Sequence, residues 1–246
     1  DRHTFTFNDI EAEVTNITYY PENNNFLIAG SKDGKVGVFH YQNKKTLLLC
    51  DIKPYNNPVA HIVCSKSIGA NPKNVIFVLY RDGSLFTIGL KVETRHDPGM
   101  KNQPPALSFS LISEENKFSK GSHDPTFVPF IQLNPNDANE VLIQHSNAIS
   151  LYNHQKQTVR SIQIPQVCAS TIADGRIYCT TADGNLHVIC PSAIPSASSL
   201  FQVFQVPLSL YVPQRKIGQG KVVYGTAIDS NPKDPKQLVI GTNFGN

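Results

Sequence analysis

The sequence has no tryptophan, a single methionine and no uninterrupted apolar run of membrane-spanning length. A spanning helix needs about 18 or more apolar residues, so we expect no membrane insertion. The N-terminus also lacks the apolar core of a signal peptide. The net charge of +3 at pH 7 is too small to indicate a nucleic acid or an anionic membrane as the partner.

Cysteines are few and widely spaced. There are five, an odd number, and none forms a Cys-x-x-Cys pair: Cys50, Cys64, Cys168, Cys179 and Cys190. This pattern is not that of a disulfide framework in a small secreted domain. We expect free, buried thiols in a reducing compartment, which places the protein in the cytoplasm or the nucleus.

Helical periodicity is missing as well, whereas hairpin signals recur. No segment repeats its apolar residues every 3.6 positions between capping residues, so we expect almost no helix. Asp33-Gly34, Asp82-Gly83 and Asp183-Gly184 each separate two short apolar segments. Such a pair predicts a β-hairpin with a type I′ turn, in which both central residues have positive φ. Its recurrence predicts a repeat architecture.

Four successive units of about forty residues each contain four predicted strands. The predicted strands are Val14–Tyr20, Phe26–Ser31, Lys35–Tyr41 and Thr46–Ile52; Val59–Cys64, Val75–Tyr80, Ser84–Leu90 and Ala106–Ile112; Phe127–Leu133, Glu140–His145, Ala148–Asn153 and Thr158–Ile164; Val167–Ile172, Arg176–Thr181, Asn185–Cys190 and Leu200–Val206. A fifth unit, Val222–Ile228 and Gln237–Thr242, stops at the next turn. In the third unit Asn147 replaces the Asp-Gly pair, and we expect it to adopt a left-handed φ.

Two segments resemble WD40 repeats. One is Ile17-Thr-Tyr-Tyr-Pro followed by Leu27-Ile-Ala-Gly-Ser-Lys-Asp-Gly-Lys-Val-Gly-Val-Phe, and the other is Ile228-Asp-Ser-Asn-Pro followed by Gln237-Leu-Val-Ile-Gly-Thr. The resemblance covers most of residues 9–246. It implies an all-β fold, namely a β-propeller of four-stranded antiparallel blades that is an incomplete portion of a seven-bladed ring.

The resemblance also implies a domain organisation. Residues 1–246 form a single propeller domain with about four complete blades and a truncated fifth, and long loops interrupt it near 91–125 and 191–221. Residues 1–8, which include His3-Thr-Phe-Thr-Phe, could supply the outer strand that closes the ring. An open ring would expose a long sheet edge. We therefore expect the chain to continue beyond Asn246, or another element to close the ring.

The sequence departs from the WD40 pattern at one conspicuous point. The Trp-Asp dipeptide is absent, and its place is taken by Phe39-His40, Gly89-Leu90, Tyr152-Asn153 and Ile189-Cys190. In the family, His, Ser/Thr, Asp and Trp form a hydrogen-bond network within the blade. We expect that network not to form here, so that stability rests on apolar packing between sheets.

No catalytic, cofactor-binding or metal-binding set stands out. Cys168, Cys179 and Cys190 lie eleven residues apart, whereas zinc ligands usually pair on a tight knuckle. Gly218-Gln-Gly220-Lys221 lacks the spacing of a phosphate-binding loop. The eight histidines do not pair, and turn geometry explains the carboxylates of Asp33, Asp82 and Asp183 without an acidic site. We therefore expect a protein that is not an enzyme and holds no cofactor or metal.

The resemblance implies a non-enzymatic scaffold for protein–protein interaction within a multiprotein complex. Partner-binding residues are expected in the long loops, because loops on a rigid scaffold carry function. The candidates are Arg95, Lys101, Phe118, Lys120, Tyr211, Arg215 and Lys216. The segment 207–213 mixes apolar and proline residues and could pack on a partner or on its own blade. Two alternatives stay open: a nucleic-acid- or chromatin-associated propeller that binds a histone tail or phosphate backbone, and a propeller-fold hydrolase.

Overall fold

The described part of the chain is all-β. The structure is a computed structural model and describes residues 10, 12–21, 25–40, 45–50, 56–66, 74–93, 106–115, 127–191, 201–210 and 221–244. These residues form β-strands and a short 3-10 helix, Leu208–Leu210, and include no α-helix, as the missing helical periodicity predicts. They divide into two compact units, one within residues 1–123 and 128–131 and the other within 124–127 and 132–246.

The first unit contains two antiparallel sheets of four strands. The first sheet has the order β1 (Val14–Tyr19), β2 (Phe26–Ser31), β3 (Val36–His40), β4 (Lys45–Cys50). The second has the order β5 (Val59–Ser65), β6 (Asn74–Tyr80), β7 (Leu85–Glu93), β8 (Ala106–Glu115). Each strand pairs with the next one along the chain, so each sheet is a meander built from consecutive hairpins.

The second unit continues the same construction. The third sheet comprises β9 (Phe130–Asn134, whose first two residues fall within the bounds of the first unit), β10 (Asp137–Gln144), β11 (Ala148–Asn153) and β12 (Thr158–Gln163). The fourth comprises β13 (Val167–Ala173), β14 (Arg176–Thr181), β15 (Asn185–Pro191) and β16 (Phe201–Pro207). The fifth has two strands, β17 (Gly225–Asn231) and β18 (Asp234–Thr242). Every strand predicted from the sequence is present, with bounds that differ by a few residues.

The cores lie between sheets of the same unit. Every residue of β6 is buried, because both faces of this continuous apolar strand are covered. In the first unit, Ile28 and Val38 of the first sheet pack with Val59, Ile62 and Ile76 of the second in one buried cluster. In the second unit, one cluster joins the third and fourth sheets, and another joins the fourth and fifth.

The predicted type I′ geometry is wrong for the three Asp-Gly hairpins. Only the glycines have positive φ: 87° at Gly34, 85° at Gly83 and 89° at Gly184. In the first sheet, the Gly34 N–H donates to the Ser31 carbonyl at 3.1 Å and the Ser31 N–H donates to the Lys35 carbonyl at 3.0 Å. These bonds define a three-residue loop in which a type I turn is followed by a left-handed glycine.

The physical reason lies in the aspartate side chain. The Ser84 N–H donates to Asp82 Oδ1 at 3.0 Å, and the Asn185 N–H donates to Asp183 Oδ1 at 3.3 Å. Each carboxylate therefore binds the backbone two residues further on, as turn aspartates commonly do. The type I′ criterion of positive φ at both central residues is met at Asp174 (48°) and Gly175 (71°).

Asn147 does not adopt the left-handed φ predicted for it, because it is absent from the positive-φ residues of the described chain. Its backbone carbonyl instead accepts the Ile164 N–H at 3.1 Å. Its side-chain Oδ1 accepts the Gln166 N–H at 3.2 Å. Asn147 thus acts as an acceptor between the third sheet and the segment that leads into the fourth.

A bulge marks the start of the first strand in four of the five sheets. The register shifts between Val14 and Asn16, between Val59 and His61, between Val167 and Ala169, and between Gly225 and Ala227. One residue is therefore extra at the same position each time, which bends the strand locally. The bulge aligns the sheets residue by residue: Val14, Val59, Val167 and Gly225 are equivalent.

Candidate interaction surfaces

The loop residues predicted to bind partners cannot be placed. Arg95, Lys101, Phe118, Lys120, Tyr211, Arg215 and Lys216 all lie outside the described residues. The glycine-rich segment 218–220 lies outside them too, whereas Lys221 is described. What the structure describes instead is the turn end of the sheets, the contacts from sheet to sheet, and the surfaces that those contacts leave open.

The turn end of a sheet is the end that carries its Asp-Gly turn. It contains part of the hydrogen-bond network that we expected to be absent. In the first sheet, the buried Ser31 hydroxyl donates to the Asp33 carboxylate. In the fourth sheet, the Thr181 hydroxyl donates to Asp183 Oδ1 at 2.5 Å and lies 3.1 Å from His187 Nε2. The Ser/Thr–Asp half of the WD40 network therefore forms without tryptophan, and the expectation of its absence was wrong to that extent.

These contacts shift the acidity of both turn carboxyls. Burial raises the pKa of Asp33, but the hydrogen bonds from Ser31 and Lys35 and the Lys35 charge outweigh it, so the pKa falls below its ordinary value. The Thr181 hydrogen bond, opposed by burial and helped by Asn185, likewise lowers the pKa of Asp183. Burial lowers the pKa of His187, although the Asp183 charge opposes this. The carboxylates are thus ionised acceptors committed to their own turns.

The residues in the place of the Trp-Asp dipeptide fill the interior. Phe39, Tyr152 and Ile189 are all completely buried. Phe39 packs with Ile10 and Ala29 in a cluster of its own. Gly89 takes the corresponding place in the second sheet but has no side chain to pack there. A Cβ atom on Gly89 would lie only 3.2 Å from Ile112 Cδ1. The other three positions thus contribute apolar side chains to the cores.

Polar bonds reinforce the contact between the first and second sheets. Thr15 Oγ1 donates to the Val59 carbonyl at 2.7 Å, and the Ile62 N–H donates to Asn16 Oδ1 at 2.9 Å. Tyr80 Oη donates to the Gly34 carbonyl at 3.0 Å. In the bulged strand β5, the backbone groups of Val59 and Ile62 are thus satisfied by side chains of the first sheet.

The same contact in the second unit uses different side chains. Ser170 Oγ donates to Gln144 Oε1 at 2.6 Å between the third and fourth sheets. The Ile172 N–H donates to Gln132 Oε1 at 3.2 Å at the same interface. Thr180 Oγ1 donates to the Gly225 carbonyl at 3.0 Å between the fourth and fifth sheets. Each unit thus stacks its sheets through both apolar and hydrogen-bonded contacts.

One face of the first sheet is left open. Val14, Ile17 and Tyr19 of β1 are 38%, 55% and 63% exposed. Their equivalents in the second sheet are Val59, Ile62 and Cys64, which are 0%, 1% and 6% exposed because the first sheet covers them. We call the β1 residues Val14, Ile17 and Tyr19 the leading face.

The fifth sheet also has an open face, on the side that in the first sheet packs against the second sheet. Val239 is 70% exposed, whereas its equivalent in the first sheet, Ile28, is completely buried against the second sheet. Gly241 is equivalent to Gly30, where a Cβ atom would lie 2.5 Å from Val59 Cγ1. We call Ala227, Val239 and Gly241 the trailing face. It has the form of a face on which another sheet packs.

An outer strand provides a third apolar surface. β16 lies at the end of the fourth sheet, and its side chains Val203 and Phe204 are 40% and 57% exposed. Beyond it, Leu208 is buried in the cluster that joins the fourth and fifth sheets, and Leu210 is 72% exposed. In the described part of segment 207–213, Leu208 thus packs inside the second unit, whereas Leu210 lies on the surface.

Among the described residues, the thiols and imidazoles form no group that could hold a metal ion. Cys168, Cys179 and Cys190 lie on consecutive strands, and burial raises the pKa of Cys179 to about 12. Burial also lowers the pKa of His145 to about 4. Within the described ranges, no group of three His, Cys, Asp or Glu side chains could hold a metal ion. No described helix is long and apolar enough to cross a membrane.

Comparison with known proteins bears on the fold. No family model matches the chain, and no curated protein matches it. The all-β sheets and the likeness to solved structures fit a WD40-like fold in its general form.

The particular structure reported for that likeness is the crystal structure of Raptor from Chaetomium thermophilum. It matches with a TM-score of 0.59 and 11% sequence identity, over 95% of this chain. The chain spans 19% of the length of the Raptor chain. At this identity the likeness concerns the fold alone.

Proposed function

We propose that the chain is a portion of a WD40-like β-propeller that acts as a non-enzymatic scaffold for protein–protein interaction in a multiprotein complex. The observation that carries the proposal is that each unit stacks its sheets and leaves one sheet face open, the leading face in the first unit and the trailing face in the second. Ile17 and Val239 are 55% and 70% exposed, whereas their equivalents Ile62 and Ile28, which a neighbouring sheet covers, are 1% and 0% exposed. Further sheets packed on these faces would extend the stack of each unit, as a propeller requires.

A stack of this kind suits a scaffold because of its rigidity. Sheets joined through buried clusters and inter-sheet hydrogen bonds hold their loops in fixed positions, and binding residues concentrate on loops held in this way. The likeness to the Raptor structure supports the fold half of the proposal. The free thiols Cys64, Cys168, Cys179 and Cys190 support a reducing compartment, the cytoplasm or the nucleus.

Affinity purification of the complete natural polypeptide, followed by quantitative mass spectrometry, tests the scaffold role. We expect partner proteins in stoichiometric amounts that persist at high salt. Charge reversal at Arg215 and Lys216 should release a subset of them, whereas Lys32→Glu, in an exposed turn, serves as a matched charge control. A polypeptide that purifies without partners under all conditions would contradict the proposal.

A salt titration separates this role from the nucleic-acid alternative. Phosphate contacts release counterions, so the logarithm of DNA affinity falls steeply with the logarithm of salt concentration. We expect little DNA binding and a slope near zero. The chromatin alternative needs free carboxylates on the turn end, whereas Asp33, Asp82 and Asp183 are bonded within their own turns or to Asn57. A steep slope would favour the nucleic-acid alternative over the scaffold.

A further inference from the structure

β16 differs from the other outer strand of the second unit, β12. The exposed side chains of β12 are Thr158, Ser161 and Gln163, and its Arg160 is bound to Glu140 at 2.9 Å. β16 reads Phe-Gln-Val-Phe-Gln-Val-Pro and exposes Val203 and Phe204. Charged residues are absent throughout the sequence from 184 to 214.

An edge of this composition lacks the usual protection against pairing. The outer edge of a strand presents backbone N–H and C=O groups that can template another strand, and proteins commonly block such edges with charges, bulges or short strands. β16 pairs with β15 over seven successive residues from Phe201 to Pro207 without a register shift. The regular backbone, high β-propensity and lack of charge of Phe201–Val206 match the composition of a pairing strand, and proline occurs only at the last position of β16, Pro207.

The exposed side chains define what the occupant must be. Val203 and Phe204 are adjacent in the strand, so they lie on opposite faces of the sheet. An extended, uncharged strand with apolar side chains can pair with this edge and contact Phe204 or Val203. β16 is a segment of that chemistry, and every copy of the chain carries it.

We propose that two copies of the chain associate by antiparallel pairing of β16 with β16 across a two-fold axis. Such an interface is isologous, because the same strand serves on both sides, and two-fold dimers are the commonest homo-oligomers. A two-fold axis perpendicular to the joined sheet at Phe204 places the two Phe204 side chains next to each other and Val203 beside the partner's Gln205. The fourth sheets of the two copies then form one continuous eight-stranded sheet.

This inference does not depend on the scaffold role or on ring closure, and its failure would leave both standing. Open leading and trailing faces could also associate, so the test must separate the two routes. Phe204→Lys places a charge on the β16 edge. Ser161→Lys places the same charge on the β12 edge, and Val239→Lys places it on the trailing face. All three positions are on the surface, and far-UV circular dichroism with a denaturation curve checks that each variant folds.

Sedimentation velocity across a dilution series is the primary measurement. The expected result is a concentration-dependent species of twice the 27.2 kDa monomer mass for the parent chain, Ser161→Lys and Val239→Lys, with Phe204→Lys monomeric throughout. A parent chain that stays monomeric throughout overturns the proposal, and so does a dimer that survives Phe204→Lys. A dimer lost in Val239→Lys but kept in Phe204→Lys assigns association to the trailing face and overturns it equally.

Amide hydrogen exchange provides a second readout that locates the contact. Backbone amides of β16 that point away from β15 should exchange more slowly as the protein concentration rises, because pairing buries them in hydrogen bonds. The β12 amides should show no such dependence. Exchange at β16 that is independent of concentration in the parent chain contradicts the pairing even if a dimer is found.

Discussion

Thr180 and Gly225 meet across the fourth and fifth sheets in a contact that admits no larger residue at Gly225. Thr180 Oγ1 donates to the Gly225 carbonyl at 3.0 Å, and a Cβ atom on Gly225 would lie 2.5 Å from Thr180 Cγ2. In the first unit, the equivalent positions are Gly30 and Val59, and a Cβ atom on Gly30 would lie 2.5 Å from Val59 Cγ1. The small and the branched residue have exchanged sides while the fit between sheets is kept.

This exchange predicts that the pair can be swapped. Gly225→Val alone should destabilise the chain by about 1–3 kcal/mol through overpacking, and Thr180→Gly alone should destabilise it by leaving a void and removing a hydrogen bond. The double variant Thr180→Gly/Gly225→Val reproduces the Gly30–Val59 arrangement. Its loss in the free energy of unfolding should be smaller than the sum of the single losses, as urea denaturation can measure. Strict additivity would contradict the equivalence of the two interfaces.

The Tyr80 hydroxyl should contribute to stability through the turn of the neighbouring sheet. Tyr80→Phe keeps the edge-to-face contact with Phe86, whose ring centroid lies 5.2 Å away, but removes the bond to the Gly34 carbonyl. Because that carbonyl is left without a buried donor, we expect a loss of about 1–3 kcal/mol in the free energy of unfolding. Tyr19→Phe, at a position that is 63% exposed, is the matched control and should change stability little. Equal effects of the two variants would remove the inter-sheet role of Tyr80.

Acid should weaken the first turn through Asp33. Its folded-state pKa lies below the ordinary 3.8, so the stabilisation is fully present above pH 3.8 and is lost as the pH falls through the folded-state pKa. Asp33→Asn should therefore be less stable than the parent chain at pH 7, and the difference should shrink below pH 3.8. Glu13→Gln, in an exposed ion pair, is the control and should show little difference at either pH. A gap for Asp33→Asn that does not change with pH would contradict the assignment.

His145 should make the free energy of unfolding depend on pH in a second range. Burial lowers its pKa from 6.5 to about 4, so the unfolded chain binds more protons than the folded chain between these values. Stability should be fully present above pH 6.5 and should decline as the pH falls towards 4. His145→Gln removes the titrating group and should flatten this part of the pH profile in urea denaturation. A decline of the same size in the variant would assign it to other groups.

Equivalent positions should respond differently to charge according to whether a sheet covers them. Ile28→Lys buries a charge and should be severely destabilising, whereas Val239→Lys should change the free energy of unfolding by no more than about 0.5 kcal/mol. Thermal denaturation of the two variants checks this contrast in the 246-residue chain. A large loss at Val239 would mean that the trailing face is already covered.

Strand positions could be predicted from the sequence because alternation and punctuation are local signals. β2, β11 and β14 have the predicted bounds, and each is flanked by turn residues. Turn type was not predictable in the same way. The turn type depends on side-chain hydrogen bonds that Asp33 and Asp183 make to neighbouring residues. A prediction from the Asp-Gly dipeptide alone does not take those neighbours into account.

The candidate surfaces depended on tertiary structure that the sequence does not show directly. Ile17 and Ile62 are the same residue type in equivalent strands, yet they are 55% and 1% exposed. Their difference comes from the presence or absence of a neighbouring sheet. A composition signal did exist for β16, since the charge-free run from 184 to 214 is visible in the sequence. The predicted loop residues, such as Arg95 and Arg215, stay predictions.

Thiol labelling at the two open faces tests the central claim that further sheets cover them in the complete protein. Ile17→Cys and Val239→Cys would be labelled both in the 246-residue chain and in the complete natural polypeptide, with Lys32→Cys as an exposed reference and peptide-resolved mass spectrometry as the readout. The account predicts labelling as fast as the reference in the 246-residue chain and strong protection of both positions in the complete polypeptide. Labelling at the reference rate in both would contradict it.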